Sequence, residues 1–437
     1  MRRHTAAFFS WVNALATVFI FFVMWALSNM AISLDFLNIV DKVLDEFNIA
    51  DIVFSHRKDT AVDSSIVIVN IGDLDRFGIA QQISNINQHS PKVIGIDTFF
   101  KTEKDSTVDN PLMEAFKNTE NLILGSKVIS PQLQADSTSI VWDTLQLSHP
   151  KFVQFAETGF VNTITDGASQ FEKWSEAAVI EKLADKRLDR TTELCFAAKI
   201  VEKYDSLKAK KFLRRSQQPD DLSWKEKFEN FVFDRTKGYE IINFRRNQDK
   251  YPVLSEVEVL ENNFDPNLVK GKIVLLGYLG GEGTLPYWDD DKYYSPMNNK
   301  LVGRSTPDMY GVVGHANLVS MILDEDSIDE VASHVTNVLA ILIAYLNIAI
   351  FHKIMSSKAL ETWYDGISKT IQLIELLLLG YLAIHLLEQH NIKIDLSVTA
   401  LAVLFSGDLL QIFNDLVLIN IDRFKHIKFA KGGQRRR

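Results

Sequence analysis

The sequence predicts a mainly parallel α/β domain, with one long apolar segment before it and three after it. Runs that are apolar at almost every position recur in the central part of the chain. Strands buried on both faces of a parallel sheet have this pattern. Apolar stretches at both ends reach the length of about 20 residues that a membrane-spanning helix needs.

The first apolar segment, Thr5 to Leu34, predicts a membrane anchor that is retained. Its apolar core is longer than that of a signal peptide. A cleaved signal peptide is the alternative, with a weak small-residue site near Ala26 to Ser28. We therefore expect residues 1–34 to form a cytoplasmic stub and the first transmembrane helix.

Three more spans are expected in residues 327–421, at 335–351, 370–387 and 396–421, before a basic tail at 422–437. Lys and Arg in short segments beside the spans number 12 on the side of both termini and 1 on the other side. Such residues stay in the cytoplasm. The termini are therefore expected inside and the large domain outside. For the tail, lipid or topology is a better explanation than nucleic acid.

The domain between the spans, residues 35–326, reads as alternating strands and helices. Ser65–Gly72 and Pro91–Asp97 predict buried strands joined by a helix over Ile79–Gln88, which makes a right-handed parallel crossover. Further strands are expected at Asn121–Ile129, Phe160–Ile164, Tyr239–Arg246 and Gly271–Gly277, with helices at Thr191–Arg215 and Val312–Leu323. The polar stretch Lys203–Lys227 predicts a surface excursion.

The single cysteine, Cys195, excludes an intrachain disulfide and is expected to be a small buried apolar residue. An extracytoplasmic domain without disulfides is ordinary in bacteria. The expected location is therefore a bacterial inner membrane, with the lipid bilayer as a partner and the domain in the periplasm or outside the cell.

Ligands of open parallel sheets bind beyond the carboxyl ends of the strands. This rule selects Asp73 and Asp75 after the first strand and Asp97 at the end of the second. Turn capping or backbone hydrogen bonding is the alternative role for each. The stretch Asp289–Asp291 is predicted to be a solvated acidic turn, because three consecutive residues cannot all face one cation. The Gly-rich run Gly277–Gly283 is expected to be a loop.

Catalysis is not expected, since the sequence has no nucleophile elbow, HExxH, CxxC or phosphate-binding loop. No cofactor and no metal site are predicted. The two classes that remain are a binding module and a structural subunit.

Three segments resemble the CHASE2 family of transmembrane sensors: Ile66–Phe100, Gly271–Gly277 and Thr306–Asn317. Phe77–Gln82 departs from the family, because it replaces the usual Gly-Trp-Pro segment and the Arg after it. The resemblance implies an extracytoplasmic α/β sensory domain between one amino-terminal span and three following spans. The cytoplasmic effector domain that members often carry is expected to be absent here. His315 and Asn317, in the third segment, join the candidate ligand-binding residues.

The resemblance implies that an unidentified small ligand is sensed and that the stimulus passes through the spans to a separate signalling partner. Homo-oligomer formation is an additional expectation. A non-catalytic assembly subunit of a bacterial envelope complex is the alternative. Five polar residues at membrane depth are candidates for a partner face or for an ion pathway. The alternative is that Asp415 lies near the interface and is solvated, and that the others pair within the bundle with His385 or Asn347. These five residues are Gln372, Glu375, Asp408, Gln411 and Asp415.

Overall fold

The fold is described from a computed structural model of the chain. It describes residues 10–31, 53–57, 60–133, 140–162, 173–174, 177–184, 187–217, 221–235, 240–281, 291–298 and 306–418. The chain divides into a sheet unit, Ala50–Asn230 with Asp234–Asp329, and a membrane unit, Met1–Ile49 with Phe231–Phe233 and Glu330–Arg437.

Strands and helices alternate along the sheet unit, whereas long helices dominate the membrane unit. The strands are β1 (Ile66–Asn70), β2 (Val93–Ile96), β3 (Leu122–Leu133), β4 (Ile140–Gln146), β5 (Glu157–Phe160), β6 (Lys173–Trp174), β7 (Ala177–Ala184), β8 (Arg187–Leu194), β9 (Glu240–Ile241), β10 (Val253–Leu254), β11 (Ile273–Gly277), β12 (Lys292–Tyr293), β13 (Met309–Tyr310), β14 (Asp329–Glu330) and β15 (Ile392–Lys393). The α-helices are α1 (Trp11–Ala31), α2 (Arg76–Asn87), α3 (Ser106–Lys117), α4 (Pro150–Val153), α5 (Phe196–Tyr204), α6 (Ser206–Gln217), α7 (Trp224–Val232), α8 (Glu256–Leu260), α9 (Gly311–Asp324), α10 (Ser333–Ser356), α11 (Tyr364–His390) and α12 (Ser397–Phe413).

The main sheet has the strand order β10-β1-β11-β2-β3-β4-β7-β8, and β5 also pairs with β3. Pairing is parallel from β10 to β3, between β3 and β5, and between β4 and β7. It is antiparallel between β3 and β4 and between β7 and β8. The strand–helix–strand unit β1-α2-β2 is present as predicted, with β11 between its two strands. The carboxyl ends of β1, β2 and β11 therefore meet at one edge.

Apolar clusters cover both faces of β1. Ile66 and Ile68 belong to one cluster, and Val67 and Val69 belong to the other. Alternate side chains of a strand point to opposite faces. This burial on both faces explains why the strand is apolar at successive positions.

The prediction of one helix over Thr191–Arg215 is wrong in two places: its first residues are strand, and the helix is interrupted at its centre. Strand β8 runs to Leu194, and Cys195, which is buried, caps α5 by accepting a hydrogen bond from Ala198 N at 3.2 Å. Asp205 then has extended φ and ψ of −143° and 90°, which separate α5 from α6. Helical periodicity did not reveal either break.

Three other predictions need correction. Strand β5 covers Glu157–Phe160, so the described Val161 and Asn162 of the predicted strand Phe160–Ile164 lie beyond it, and the Asn162 side chain bonds both backbone groups of Val128. Of the predicted strand Tyr239–Arg246, the structure describes residues 240–246, and within these only Glu240–Ile241 is strand. The stretch 203–227 is not a simple surface excursion, because it contains α6, whose Phe212 is buried in the core.

Three helices of the membrane unit are long and apolar enough to cross a membrane: Ser333–Ser356, Glu361–His390 and Ser397–Leu416. Helix α1 contributes a shorter apolar stretch, Trp11–Leu27. Its Ala16 and Ile20 are fully buried in a cluster with residues of α10 and α12. Helix α1 is therefore packed within the bundle. The predicted basic tail, 422–437, and the end of the fourth predicted span from residue 419 lie outside the described residues.

Candidate functional site

Asp97 follows β2 at the edge where β1, β2 and β11 end. Its backbone N–H donates to Leu276 O at 2.9 Å, and its side chain is 14% exposed. Gly125 of β3 leaves space beside it, since a Cβ there would lie 3.9 Å from Asp97 Oδ1. Among the described residues, no donor lies within hydrogen-bond distance of the carboxylate, and burial raises the pKa of Asp97 to about 6.

His315 reaches the same edge from α9. The helix packs close to the sheet at Gly277, where a Cβ would lie only 2.5 Å from Val312 Cβ. His315 is 4% exposed. Its ring packs edge-on against Phe196, with centroids 5.3 Å apart. Phe196 opens α5 and fills the space above Gly95 of β2, where a Cβ would meet its ring at 2.9 Å.

The two side chains face each other. His315 Nε2 lies 3.8 Å from Asp97 Oδ2, and His315 Nδ1 is buried without a hydrogen-bond partner among the described residues. Burial lowers the pKa of His315 to about 4, against an opposing effect of Asp291. At neutral pH the pair is therefore a carboxylate beside a neutral imidazole. In the neutral imidazole one ring nitrogen carries the hydrogen, and the tautomer with that hydrogen on Nε2, the nitrogen near the carboxylate, presents Nδ1 as an acceptor.

Asp291 and Tyr293 stand next to the first turn of α9. Tyr293 Oη donates to Asp291 Oδ1 at 3.1 Å, and a Cβ at Gly311 would lie 3.2 Å from Asp291 Oδ2. Burial raises the pKa of Tyr293 to about 12, and the negative charges of Asp291 and Asp97 add to the effect. Both carboxylates therefore act electrostatically on the Tyr293 phenol, and the surroundings of Asp97 and His315 carry negative charge.

A network around Asn70 fixes the neighbouring loop. Asn70 Oδ1 accepts from Leu279 N at 2.8 Å, and its Nδ2 donates to Gly280 O at 2.9 Å. The candidate Asp73 lies against this loop, since a Cβ at Gly281 would be 2.4 Å from Asp73 Oδ2. Asp73 therefore lies at the predicted edge of the sheet. The Gly-rich segment beyond residue 281 lies outside the described residues.

The other two candidates bond to backbone groups. Asp75 caps α2 by accepting from Gly78 N at 2.9 Å. Asn317 Oδ1 accepts from the N–H groups of Arg245 and Arg246 at 3.2 and 3.1 Å, and its Nδ2 donates to Arg246 O at 2.7 Å. Asn317 thus holds the irregular segment that follows β9. A ligand role for either residue stays a prediction.

Two of the polar membrane residues bond within the bundle. Gln372 of α11 donates to Val403 O of α12 at 2.7 Å. Glu375 accepts from Asn347 of α10 at 2.7 Å, one of the two pairings considered from the sequence. These bonds link three helices through side chains that would be costly to expose to lipid.

The remaining polar residues lie on the surface of the membrane unit. Lys369 pairs with Asp408 at 2.6 Å, and their side chains are 53% and 58% exposed. Gln411 donates to Asp365 at 2.8 Å. Asp415 is exposed in the π-helical segment Asn414–Leu418. Two polar pairs thus join α11 and α12 on an outer surface.

Within the described residues, no group of three or more His, Cys, Asp or Glu is arranged to hold a metal ion. Asp291 is part of a turn and has a left-handed φ of 65°, which Asp tolerates. Its neighbours Asp289 and Asp290 lie outside the described residues.

Comparison with known families gives one match: the model of the CHASE2 domain matches residues 16–351. The match extends from the first helix of the membrane unit, through the whole sheet unit, into α10. The chain belongs to the CHASE2 domain family. Searches of curated proteins and of solved structures found no match.

CHASE2 is a family of extracellular sensory domains, and the apolar helices identify this member as a membrane protein. Sequence reasoning found Asp97 and His315 but missed the residues that bury them. Phe196 was read as part of a long helix, and Tyr293 carried no signal at all. Asn70, which ends β1, was not among the predicted site residues, although an amide at a strand end is a usable signal for a residue that holds a loop.

Proposed function

We propose that this CHASE2 protein senses a small ligand outside the cytoplasm, at Asp97 and His315, and relays binding through its helices to a separate partner. The observation that carries the proposal is the buried Nδ1 of His315, which has no hydrogen-bond partner among the described residues. A buried polar atom without a partner costs about 1–3 kcal/mol. A ligand that supplies the missing donor would recover that cost.

The pair is complementary to a small organic cation with N–H donors. At neutral pH it offers the carboxylate oxygens of Asp97 and a lone pair on His315 Nδ1. Asp291 adds negative charge nearby, and the aromatic rings of Phe196 and Tyr293 border the two groups. An amine or a guanidinium satisfies both acceptors, whereas a carboxylate ligand would be repelled.

Binding is favoured over catalysis by the surroundings of His315. Among the described residues, no hydroxyl or thiol hydrogen-bonds to either ring nitrogen. A nucleophilic site requires such a contact between nucleophile and base. We therefore propose that Asp97 and His315 bind the ligand and do not catalyse a reaction on it.

The test uses the full-length protein in lipid nanodiscs and measures thermal unfolding with ethanolamine, agmatine or acetate. We expect the two amines to raise the melting temperature of the sheet unit and acetate to leave it unchanged. The variant Asp97→Asn should lose the response. The matched control Asp75→Asn, at a helix cap on the same edge, should keep it. Responses that persist in Asp97→Asn, or no response to either amine, would refute the proposed site.

The relay is supported by the two exposed polar pairs of α11 and α12, Lys369–Asp408 and Asp365–Gln411. Charged groups on a lipid-facing surface are costly, so a partner protein that covers them is favoured. A photo-crosslinking residue at Asp408 is expected to trap one discrete membrane protein. The same residue at Leu377, which is 66% exposed on α11, should trap none.

The same polar surface also favours the second candidate function, an assembly subunit of a bacterial envelope complex. The two functions differ in how the partner responds. For a sensor, an amine that stabilises the sheet unit changes the yield of the crosslink at Asp408. For an assembly subunit, the yield is the same with and without the amine.

The proposed location is the bacterial inner membrane, with α1 as a fourth span and both termini in the cytoplasm. Packing of Ala16 and Ile20 in the bundle supports α1 as a span, and the excess of Lys and Arg beside the termini supports the orientation. Added cysteines at Arg3 and at exposed Glu114 test it in intact cells. Only the cysteine at Glu114 should react with a thiol reagent that does not cross membranes.

A further inference from the structure

Helix α7 (Trp224–Val232) presents an aromatic stripe to its surroundings. Trp224, Phe228 and Phe231 are 81%, 60% and 59% exposed. They follow one another at spacings of four and three residues, so they lie on one face of the helix. No residue of the helix is buried. Exposed rings in such a contiguous row mark an interaction surface.

The opposite face of α7 is held by ion pairs. Glu226 accepts from Arg214 at 2.9 Å, and Glu229 pairs with Arg235 at 3.3 Å. Because the two acids face away from the stripe, these pairs fix the direction in which the rings point. The acidic charge of the helix is thereby neutralised by the protein.

Two lysines border the stripe. At about 100° per residue, Lys225 lies on one side of the rings and Lys227 lies on the other. Both are exposed. Lysines beside an apolar stripe are typical of helices that lie in a membrane interface, because the long side chain reaches lipid phosphates while its stem covers apolar surface.

The end of α7 is joined to the start of a membrane helix. Val232 O accepts from Ala332 N at 2.9 Å, and Phe233 forms a β-bridge with Val331. The Phe231 ring packs on the ring of His334 in the first turn of α10, with centroids 4.6 Å apart. The last ring of the stripe therefore lies at the first turn of a helix that is long and apolar enough to cross a membrane.

We propose that α7 is an interfacial helix whose aromatic stripe inserts into the boundary between the lipid headgroups and the acyl chains. Continuity with α10 selects lipid as the occupant, since the stripe ends at Phe231, which packs on His334 in the first turn of that apolar helix. Aromatic rings are favoured at that depth. This inference is independent of the ligand site and of the relay.

The test places a nitroxide spin label at Phe228→Cys, in full-length protein in nanodiscs of phosphatidylcholine and phosphatidylglycerol. Cys195→Ser removes the native thiol, and the serine hydroxyl replaces the sulfur as the acceptor for Ala198 N at the start of α5. The matched control is Phe77→Cys, a 51% exposed phenylalanine on α2. A second label at Lys227→Cys leaves all three rings intact, so the test does not depend on the stripe variant folding.

At position 228 we expect the nitroxide to collide more often with oxygen than with a water-soluble nickel chelate. The ratio of the two collision rates should correspond to a depth of about 5–10 Å in the bilayer. Position 227 should report the headgroup level, and position 77 should report water. Free access of the nickel chelate to 228 or 227, as at 77, would overturn the proposal. Protection of position 228 from both relaxants would also overturn it, because a protein surface, such as a second copy, would then cover the stripe.

Discussion

Replacing Asp97 with Asn should stabilise the protein at neutral pH. Burial raises the pKa of Asp97 from 3.8 to about 6. The shift of about 2 units corresponds to about 3 kcal/mol at about 1.4 kcal/mol per unit. The isosteric Asn carries no charge, so it removes that cost. The sheet unit has roughly 280 residues, and at an unfolding entropy of about 2.1 cal/mol/K per residue a gain of about 3 kcal/mol raises the melting temperature at pH 7.5 by about 5 °C.

The pH dependence distinguishes this explanation from others. A carboxyl group with a raised folded-state pKa contributes stability below pH 4 and loses it as the pH rises to about 6. His315 acts in the opposite sense. Its folded-state pKa is lowered from 6.5 to about 4, so its contribution is present above pH 6.5 and is lost as the pH falls to 4.

The two slopes oppose each other between pH 4 and 6 in the native pair. In Asp97→Asn only the contribution of His315 remains, so the free energy of unfolding should fall by about 3 kcal/mol as the pH is lowered from 6.5 to 4. In His315→Gln only the contribution of Asp97 remains, so the free energy of unfolding should rise as the pH is lowered from 6 to 4. Thermal unfolding at half-unit pH steps measures both profiles. Destabilisation by Asp97→Asn at pH 7.5, or parallel profiles for the two variants, would refute the reasoning.

Three further substitutions test packing and buried polar contacts through the melting temperature. Gly277→Ala should cost about 1–3 kcal/mol, because its Cβ would lie 2.5 Å from Val312 Cβ. Arg76→Met should cost about 3–5 kcal/mol, because Asp109 is fully buried and bonded to that guanidinium at 2.6 Å. Asn317→Ala should cost at least about 2 kcal/mol and increase hydrogen exchange at the two amides that its side chain holds.

Each of these has a control. Gly366→Ala should not destabilise the protein and should gain up to about 1 kcal/mol, since nothing lies within 4 Å of the added Cβ and Ala favours a helix over Gly. Adding Asp109→Leu to Arg76→Met should recover much of the loss, because it removes a buried charge that would otherwise keep only Lys151 at 3.7 Å and the Lys104 N–H at 2.9 Å. If the double variant is as unstable as the single one, packing rather than charge dominates. Unchanged exchange in Asn317→Ala would contradict its role in holding the segment after β9.

The strands that form the centre of the sheet are predictable from sequence because their burial is complete. Ile66–Asn70 and Ile273–Gly277 are apolar at nearly every position, and few other structures have that pattern. The region after residue 186 is not predictable in the same way. β8 contains Arg, Asp and Glu and pairs only at the end of the sheet, so local periodicity there resembles a helix.

For the site, the sequence predicts the edge of the sheet at which it lies but not the contacts between its side chains. The rule for parallel sheets selects Asp97 correctly as an edge residue, and the likeness to a family segment selects His315. Their proximity of 3.8 Å depends on Gly277, which lets α9 approach the sheet. That approach is a tertiary property. For the same reason the partners of Asn317, more than 70 positions away along the chain, could not be read from sequence.

Under the proposed relay, α9 is the element that transmits binding. It is about 20 Å long, carries His315 near its first turn, and is buried at every position from Gly311 to Leu323. A packed helix cannot bend at one residue without disturbing its neighbours, so a ligand that moves His315 moves the helix as a unit. A ligand shifts such an equilibrium only by its difference in affinity for the two positions.

The far end of α9 leads to Asp326, which pairs with Arg245. Arg245→Gln should therefore leave the thermal response to amines intact, because the ligand contacts at Asp97 and His315 are untouched. It should abolish the effect of amines on the crosslink at Asp408, because the shifted helix is no longer held at its end. An amine-dependent crosslink that persists in Arg245→Gln would exclude this route, whereas loss of the thermal response as well would show that the substitution damages the site itself.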